Sequence, residues 1–263
     1  MARLLRYGHV CERDELSTVT VYDDHHDFYV DFVDRLSANQ GFKASIDALL
    51  SELGSVEGKQ VCDLACGEGH LSRLLYNRGA NVVGYDLSEK LIQSAIAHSV
   101  SEIRFEVNNA EHLAGVPDAA FDVVISHLAI MDIPDLDSFT RTVSRVLRSN
   151  GRFLLTLLHP CFEAPFDATT GSPVETDNNG HFRALRVMRY NEEGFWQSDG
   201  DGVRGRVGAY HRTLSTYINA LITQGPSITR VLEPFAEAED NAGLDGQWSQ
   251  RIPRFMTICC QKS

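Results

Sequence analysis

Residues 61–71 read VCDLACGEGHL. Val61–Leu64 form a short apolar run broken by one carboxylate, and Ala65–Gly69 supply the small residues of a tight turn. GHLSRLLYNRG follows, with Leu71, Leu74 and Leu75 on one helical face. An apolar run of this length bounded by glycine reads as a strand, and the leucine spacing reads as a helix. Small residues between them let the backbone approach a ligand closely. A lone GxG turn does not say which ligand, or whether one binds at all, so its surroundings must decide.

The same alternation continues downstream. NVVGYD (81–86) is a strand, LSEKLIQSAIAHS (87–99) a helix capped by Ser88, and EIRFEVN (102–108) and FDVVIS (121–126) are strands. DLDSFTRTVSRVLRSNG (135–151) is a helix with Phe139, Val143, Val146 and Leu147 in one stripe, ended by Gly151, and RFLLTLL (152–158) is a fifth strand. Continuous apolar strands alternating with helices imply a parallel sheet covered on both faces. Upstream, GFKASIDALLSELG (41–54) is a helix through Ile46, Leu49, Leu50 and Leu53 that stops at Gly54. YDDHHDFYVDFVDRL (22–36) sets Tyr22, Tyr29, Phe32 and Leu36 near the seam of another. After the fifth strand the pattern breaks. Residues 160–210 are rich in Gly, Asp, Asn and Arg, and RVMRYNEEGFWQS (186–198) reads as a hairpin turning at Asn191–Gly194. A helix at 211–225 and strands SITRVLE (227–233) and FMTICCQK (255–262) close the chain. The expected organisation is one α/β domain: a helical cap (1–55), a ligand-binding core (56–159), a substrate-side insertion (160–210) and a C-terminal helix with the last two strands (211–263).

Composition narrows the function. With 263 residues, 43% apolar and 23% charged, the chain can bury a substantial core. A net charge of −12 argues against a nucleic-acid partner, which calls for a basic footprint. No apolar run approaches the roughly 20 residues of a membrane span. MARLLRYGHVCERDEL is too charged for a signal peptide. A cytoplasmic chain, monomeric or homodimeric, is expected, with no membrane partner. The six cysteines, Cys11, Cys62, Cys66, Cys161, Cys259 and Cys260, form no CxxC pair and read as small buried hydrophobes, and no metal is expected.

In an open α/β sheet, ligands bind at the carboxyl ends of the strands. The turn at 65–69 lies at such an end. Asp86, seventeen residues past Gly69 at the end of the second strand, is placed to accept hydrogen bonds from two ribose hydroxyls. Asp63 discriminates among nucleotide ligands, because a carboxylate just before the turn repels a pyrophosphate and favours a cationic sulfonium–amino acid.

At this point the chain resembles the class I S-adenosylmethionine-dependent methyltransferases of the small-molecule type (methyltransferase type 11, UbiE-like). VCDLACGEG is similar to that family's first motif, with Ala65 where glycine is commonest, and VVGYDLS to the second. FEVNNAEHL is similar to the adenine-contacting motif, with Asn109 where aspartate is usual. FDVVISHLAIMDIPD resembles the fourth motif and VLRSNGRFLLTLLHPCF the fifth. YDDHHDFY resembles the family's cap, and HRTLSTYINAL with ITRVLEP its C-terminal unit. The resemblance covers nearly the whole chain except 163–207. It implies a Rossmann-like, seven-stranded, mostly parallel sheet with one antiparallel strand, an N-terminal helical cap and a hairpin-containing insertion after strand five. It also implies S-adenosylmethionine as cofactor. Backbone at Ala65, Gly67 and Gly69 would pack on its methionine part, and Asp63 would face its amino group. Asp86 would hold the ribose with Leu87 against the adenine. Asn109, Ala110 and Glu111 would border the adenine, and Ser126 would line the methionine.

Methyl transfer from a sulfonium needs positioning more than elaborate catalysis, and a general base is optional for a neutral amine. The candidate bases are His159, just past the fifth strand; Tyr22 in the cap; His127 after the fourth strand; and His211, which opens the helix leaving the insertion. His25 and His26 read as solvated. Phe182, Tyr190, Phe195 and Trp196 could wall a planar or cationic acceptor or simply pack the hairpin. Arg183, Arg186, Arg189, Arg204 and Arg206 read as a solvated basic face from which one could clamp an acidic acceptor. The expected activity is transfer of a methyl group to N or O of a small metabolite, in secondary metabolism. The alternatives are a methyltransferase acting on RNA or protein, aminopropyl transfer, a nicotinamide oxidoreductase and a non-catalytic cofactor-binding protein. No Asn-Pro-Pro-Tyr-like or acidic polyamine motif follows FDVVIS, and the dinucleotide fingerprint is broken.

Overall fold

Strands buried on both faces need apolar side chains in both directions, and the central strands supply them. In the computed structural model, which describes residues 20–163, 165–166, 171–224, 226–237 and 244–263, seven strands make one sheet. They are β1 (Gln60–Leu64), β2 (Asn81–Asp86), β3 (Arg104–Val107), β4 (Phe121–His127), β5 (Leu147–Leu158), β10 (Ser227–Leu232) and β11 (Phe255–Gln261). Their order is β10-β11-β5-β4-β1-β2-β3. β11 runs antiparallel to both neighbours; the pairs β1–β2, β2–β3, β1–β4 and β4–β5 are parallel. This is the mostly parallel sheet with one antiparallel strand that the family resemblance implies. β1 is flanked by β2 on one side and β4 on the other, so the topology switches there and opens a crevice beyond its carboxyl end.

Cys62, Leu64, Val124, Phe153 and Leu155 build one core layer, against helices α6 (Leu136–Val146) and α8 (Leu214–Gln224). Val61, Val82, Val123, Ile125 and Leu154 build the other, against α3 (Gln40–Leu53), α4 (His70–Tyr76) and α5 (Glu89–Ala97). The alternation of Val123, Val124 and Ile125 between layers is the period-two geometry of a strand. In α3, Ile46, Leu49, Leu50 and Leu53 are all buried, and Gly54 ends the helix at φ +67°. Ser88 caps α5 by accepting from Leu91 N–H at 3.1 Å.

The sheet and the glycine turn press together at Phe105. A Cβ built on Gly84 would lie 2.7 Å from the Phe105 ring and 2.9 Å from Cys66 Sγ. Gly84→Ala therefore overpacks a buried contact and should cost about 2 kcal/mol, read as a fall in denaturant midpoint. An unchanged midpoint would show that Phe105 yields without resistance.

Four expectations are corrected. The cap seam is two helices, α1 (Val21–Asp24) and α2 (His26–Leu36), because a Thr20–Asp23 capping box closes a single turn and the chain breaks at His25. The helix through Phe139 ends at Val146, not Gly151, because Leu147 already pairs with Phe121 in the sheet. No hairpin turns at Asn191–Gly194. Instead β6 (Val174–Thr176) pairs with β7 (Phe182–Leu185), and β8 (Gly194–Trp196) pairs with β9 (Ala209–His211) across the short helix α7 (Val203–Arg206). His211 ends β9 and does not open α8, which begins at Leu214. Helix α9 (Leu244–Ser249) precedes β11. Cys62, Cys259 and Cys260 are buried free thiols, Cys66 and Cys161 are half-buried, and Cys11 lies outside the described residues. No helix among the described residues is long and apolar enough to cross a membrane.

Candidate functional site

The turn after β1 takes three left-handed residues, Ala65 (φ 59°), Gly67 (φ 56°) and Gly69 (φ 85°), before α4 begins. Such dihedrals suit glycine and strain alanine, so Ala65 marks a position the surrounding structure holds. Cys66 N–H donates to Tyr85 O at 2.9 Å and ties the turn to β2. Asp86, at the end of β2, accepts from Gly67 N–H at 2.8 Å and from Ser88 N–H at 2.9 Å. Its carboxylate thus clamps the turn to the start of α5. Burial raises its pKa, against the pull of these two donors.

Asp63 is buried and accepts from Ser72 Oγ on α4 at 2.6 Å. Burial pushes its carboxyl up to about 7, with the Ser72 bond opposing and the charges of Asp86 and Glu68 adding to the rise. Glu68 itself pairs with Arg73 at 2.6 Å. Leu87 stands 42% exposed on the rim beyond Asp86. Past β3, Asn109 Oδ1 accepts from Glu111 N–H at 2.8 Å, Ala110 is buried, and Glu111 Oε1 accepts from Asp135 N–H at 2.7 Å. Ser126 is sealed at the end of β4, and its hydroxyl has no hydrogen-bond partner.

The cap is anchored on this rim. Asp23 accepts from Ser88 Oγ at 2.7 Å and Lys90 N–H at 3.1 Å, and His26 Nε2 lies 3.1 Å from Ser94 Oγ. Tyr29 covers the glycine turn, its hydroxyl 3.4 Å from where a Gly67 Cβ would sit. Tyr22 packs edge-on against Tyr29, with ring centroids 5.0 Å apart. The Tyr22 hydroxyl donates to Asp132 Oδ2 at 3.0 Å, and Arg204 Nη1 donates to Asp132 Oδ1 at 2.5 Å and to Gly208 O at 2.8 Å. Cap, post-β4 turn (Ile130–Asp132) and insertion therefore meet at one carboxylate. Burial raises the pKa of Tyr22 well above the phenolic range, with Asp132 adding to the rise. Burial also raises Asp132, which Arg204 opposes. Arg206 lies over the Phe28 ring at 4.2 Å, a second bond between insertion and cap.

Of the four expected bases, only Tyr22 joins this cluster. His159 is buried, with Nε2 donating to Glu233 Oε1 at 2.8 Å and Nδ1 accepting from Cys161 N–H at 3.3 Å, so both ring nitrogens are engaged. His127 turns to α3, 3.2 Å from Ser45 Oγ and edge-on to Phe42, and burial depresses it to about 3. His211 donates to Tyr190 O at 2.8 Å, and burial lowers its pKa. Sequence reading missed Asp132, although a carboxylate between Met131 and Ile133 was a signal: such a charge needs a partner. Arg204, expected on a solvated basic face from which one arginine could clamp an acidic acceptor, is instead largely covered and paired with Asp132. Arg186 and Arg189 do form exposed pairs, with Glu175 and Glu192. Of the four aromatics, Phe182 is buried, Tyr190 accepts from Leu214 N–H, and Phe195 is 57% exposed against Tyr210. Trp196 borders a small cavity beside Arg204.

The donor set fits a cationic adenosyl ligand. Burial first, and then the charges of Asp86 and Glu68, raise Asp63's proton affinity, and carboxylates gathered in this way attract a cation and repel a pyrophosphate. Gly67 sets bare backbone under the Tyr29 hydroxyl, whereas a Cβ on Gly69 would run into Phe105 and Ala95, so Gly69 serves the packing of the turn on the core.

Fold and cleft thus define a Rossmann-like protein with a crevice beyond the carboxyl end of β1. A family model described as a methyltransferase domain matches residues 55–184. A solved S-adenosylmethionine-dependent methyltransferase from Mesorhizobium loti is 30% identical; it superposes over 83% of this chain and 98% of that one with a TM-score of 0.70. An uncharacterized protein of Haemophilus influenzae is 30% identical over 226 residues, 82% of this chain and 86% of its own length. A ubiquinone biosynthesis O-methyltransferase of Ralstonia nicotianae is 33% identical over 118 residues, 44% of this chain and half the length of that protein. The chain belongs to the S-adenosylmethionine-dependent methyltransferases, and S-adenosylmethionine is its cofactor.

Proposed function

We propose that this enzyme methylates a hydroxyl oxygen, or secondarily an amine nitrogen, of a small metabolite, with Tyr22 and Asp132 managing the proton. The observation that carries this reading is the Tyr22–Asp132–Arg204 array beside the glycine turn. S-adenosylmethionine, when bound, supplies an activated methyl on a positively charged sulfur. Ala65, Gly67 and Gly69 would present backbone to its methionine part, Asp63 would face its ammonium, and Asp86 would take the ribose. Leu87 and Asn109–Glu111 would border the adenine, and Ser126 would contribute through its backbone. An acceptor hydroxyl next to Tyr22 gives its proton to Tyr22 Oη as Tyr22 passes its own to Asp132 Oδ2. The raised Tyr22 pKa disfavours a free tyrosinate, so the two transfers are coupled, with Asp132 the final proton holder. Arg204 keeps Asp132 ionised between turnovers. The resemblance to an O-methyltransferase over half that protein's length supports oxygen as the acceptor atom. The acidic chain and the small cavity support a small molecule, of the kind secondary metabolism supplies, over RNA or protein.

Two measurements test this. S-adenosylmethionine and S-adenosylhomocysteine should raise the melting temperature and NAD should not, because a ligand that binds only the folded state stabilises it. Methyl transfer to small phenols should release S-adenosylhomocysteine; a thermal shift with NAD alone, or transfer only to RNA or protein, would overturn the proposal.

Asp63 adds a pH signature. Its folded pKa of about 7 lies above the unfolded value of 3.8. Folding therefore takes up a proton between these values, and this group's contribution to stability falls as pH rises from about 4 to 7. Asp63→Asn should then be more stable than the natural protein at pH 8 by a few kcal/mol at most, on the order of 1.4 kcal/mol per unit of displacement. An ammonium facing Asp63 favours its ionised form, so cofactor affinity should rise between pH 6 and 8 and lose that rise in Asp63→Asn. A flat profile in the natural protein would remove Asp63 from the ammonium.

A further inference from the structure

A cavity of about 30 Å³ lies where the insertion meets the carboxyl end of β5, bordered by Met131, Leu158, Trp196, Arg204, Tyr210 and Arg212. Arg204 makes it continuous with the Tyr22–Asp132 cluster and so with the cofactor cleft. Its charges do not cancel. Arg204 is neutralised by Asp132, and the cavity's own carboxylate, Glu163, pairs with Arg254 at 3.1 Å. His211 spends its Nε2 on Tyr190 O at 2.8 Å, with burial lowering its pKa, and Glu193, bonded to Thr213 and Thr216, is exposed to water. That leaves Arg212, 8% exposed, whose guanidinium donates to the main-chain oxygens of Ile130 (3.3 Å), Ile133 (2.7 Å) and Pro134 (2.7 Å). It also lies 5.3 Å from the centre of the Tyr210 ring. No carboxylate pairs with it among the described residues. Carbonyl dipoles lower the cost of burying this cation without cancelling its charge.

We infer that Arg212 is a specificity residue and that the methyl acceptor carries a carboxylate, which enters this cavity. The volume admits a compact group of one or two waters' size, and aromatic faces at Trp196 and Tyr210 suit the planar body behind it. The carboxylate supplies the missing negative charge, and the acceptor hydroxyl is left on the Tyr22 side. The inference rests on the methyl-transfer reading, and its test separates the two. Calorimetry on protein saturated with S-adenosylhomocysteine compares benzoate with benzamide, isosteric probes that differ in charge. Benzoate should bind about tenfold or more tightly than benzamide, the effect of a charge-assisted hydrogen bond. Arg212→Lys should keep that preference, and Arg212→Gln, which keeps an amide donor for the carbonyls, should lose it with S-adenosylhomocysteine affinity retained. Equal binding of the two probes, or no binding of benzoate at millimolar concentration, overturns the inference, and it does so in the unmutated protein even where a variant fails to fold. Failure of S-adenosylhomocysteine itself to bind overturns the methyl-transfer reading instead.

Discussion

Asp86→Ala is expected to weaken S-adenosylmethionine binding by about a hundredfold or more while the protein still folds. The side chain does two things at once. Its oxygens accept from Gly67 N–H and Ser88 N–H, which sets the glycine turn against the start of α5, and the same carboxylate is the proposed ribose acceptor. Removing it leaves the main-chain donors of the buried Gly67 and Ser88 without that partner, at a cost of about 1–3 kcal/mol of stability, and loosens the turn proposed to carry the cofactor. Asp86→Asn keeps one acceptor oxygen, so its loss should be intermediate. Calorimetric titration with S-adenosylmethionine and S-adenosylhomocysteine measures both variants. Affinity within threefold of the natural protein in Asp86→Ala would move the adenosine site away from β2.

The contrast between Asp86 and Asp132 shows what a sequence carries. The strand–turn–helix unit at 60–76 and the carboxylate ending the second strand are local: apolar runs of strand length, glycines where φ is positive, and a capping serine at 88 all speak within a few residues of themselves. They placed the sheet, the switch point and the turn that borders the crevice beyond β1. The proposed acceptor side is assembled from Tyr22, Asp132 and Arg204, separated by 110 and 72 residues, and no local period encodes such a meeting. The histidines misled for a related reason. His159 and His127 do stand at strand ends, but the neighbours that occupy their ring nitrogens, Glu233 and Ser45, come from distant segments. The insertion failed on turn chemistry. Asn191–Gly194 has turn residues, yet its flanking segment Gly194–Trp196 finds a better partner in Ala209–His211, and cross-strand pairing decided the register.

Asp132 carries the second large effect. Asp132→Asn keeps the shape of the side chain, and its oxygen can still accept from Arg204, so the fold should persist, although an unpaired buried guanidinium will lower the melting temperature. What the amide cannot do is take a proton. With a phenolic acceptor, kcat should fall about a hundredfold, the contribution typical of a positioned general base, while cofactor affinity and acceptor KM change little. The acid limb of the pH–rate profile, where Asp132 protonates, should disappear in the same variant. Tyr22→Phe should fall by a similar factor, and the double variant should be no worse than either single one, because the two groups move one proton in series. A merely structural Asp132 would give a different pattern: a lower melting temperature, an unchanged pH profile, and losses in Tyr22→Phe and Asp132→Asn that multiply. With an amine acceptor that arrives neutral the proton leaves after transfer, so kcat in both variants should approach that of the natural protein, which makes the oxygen-to-nitrogen ratio of rates the most sensitive readout of the relay.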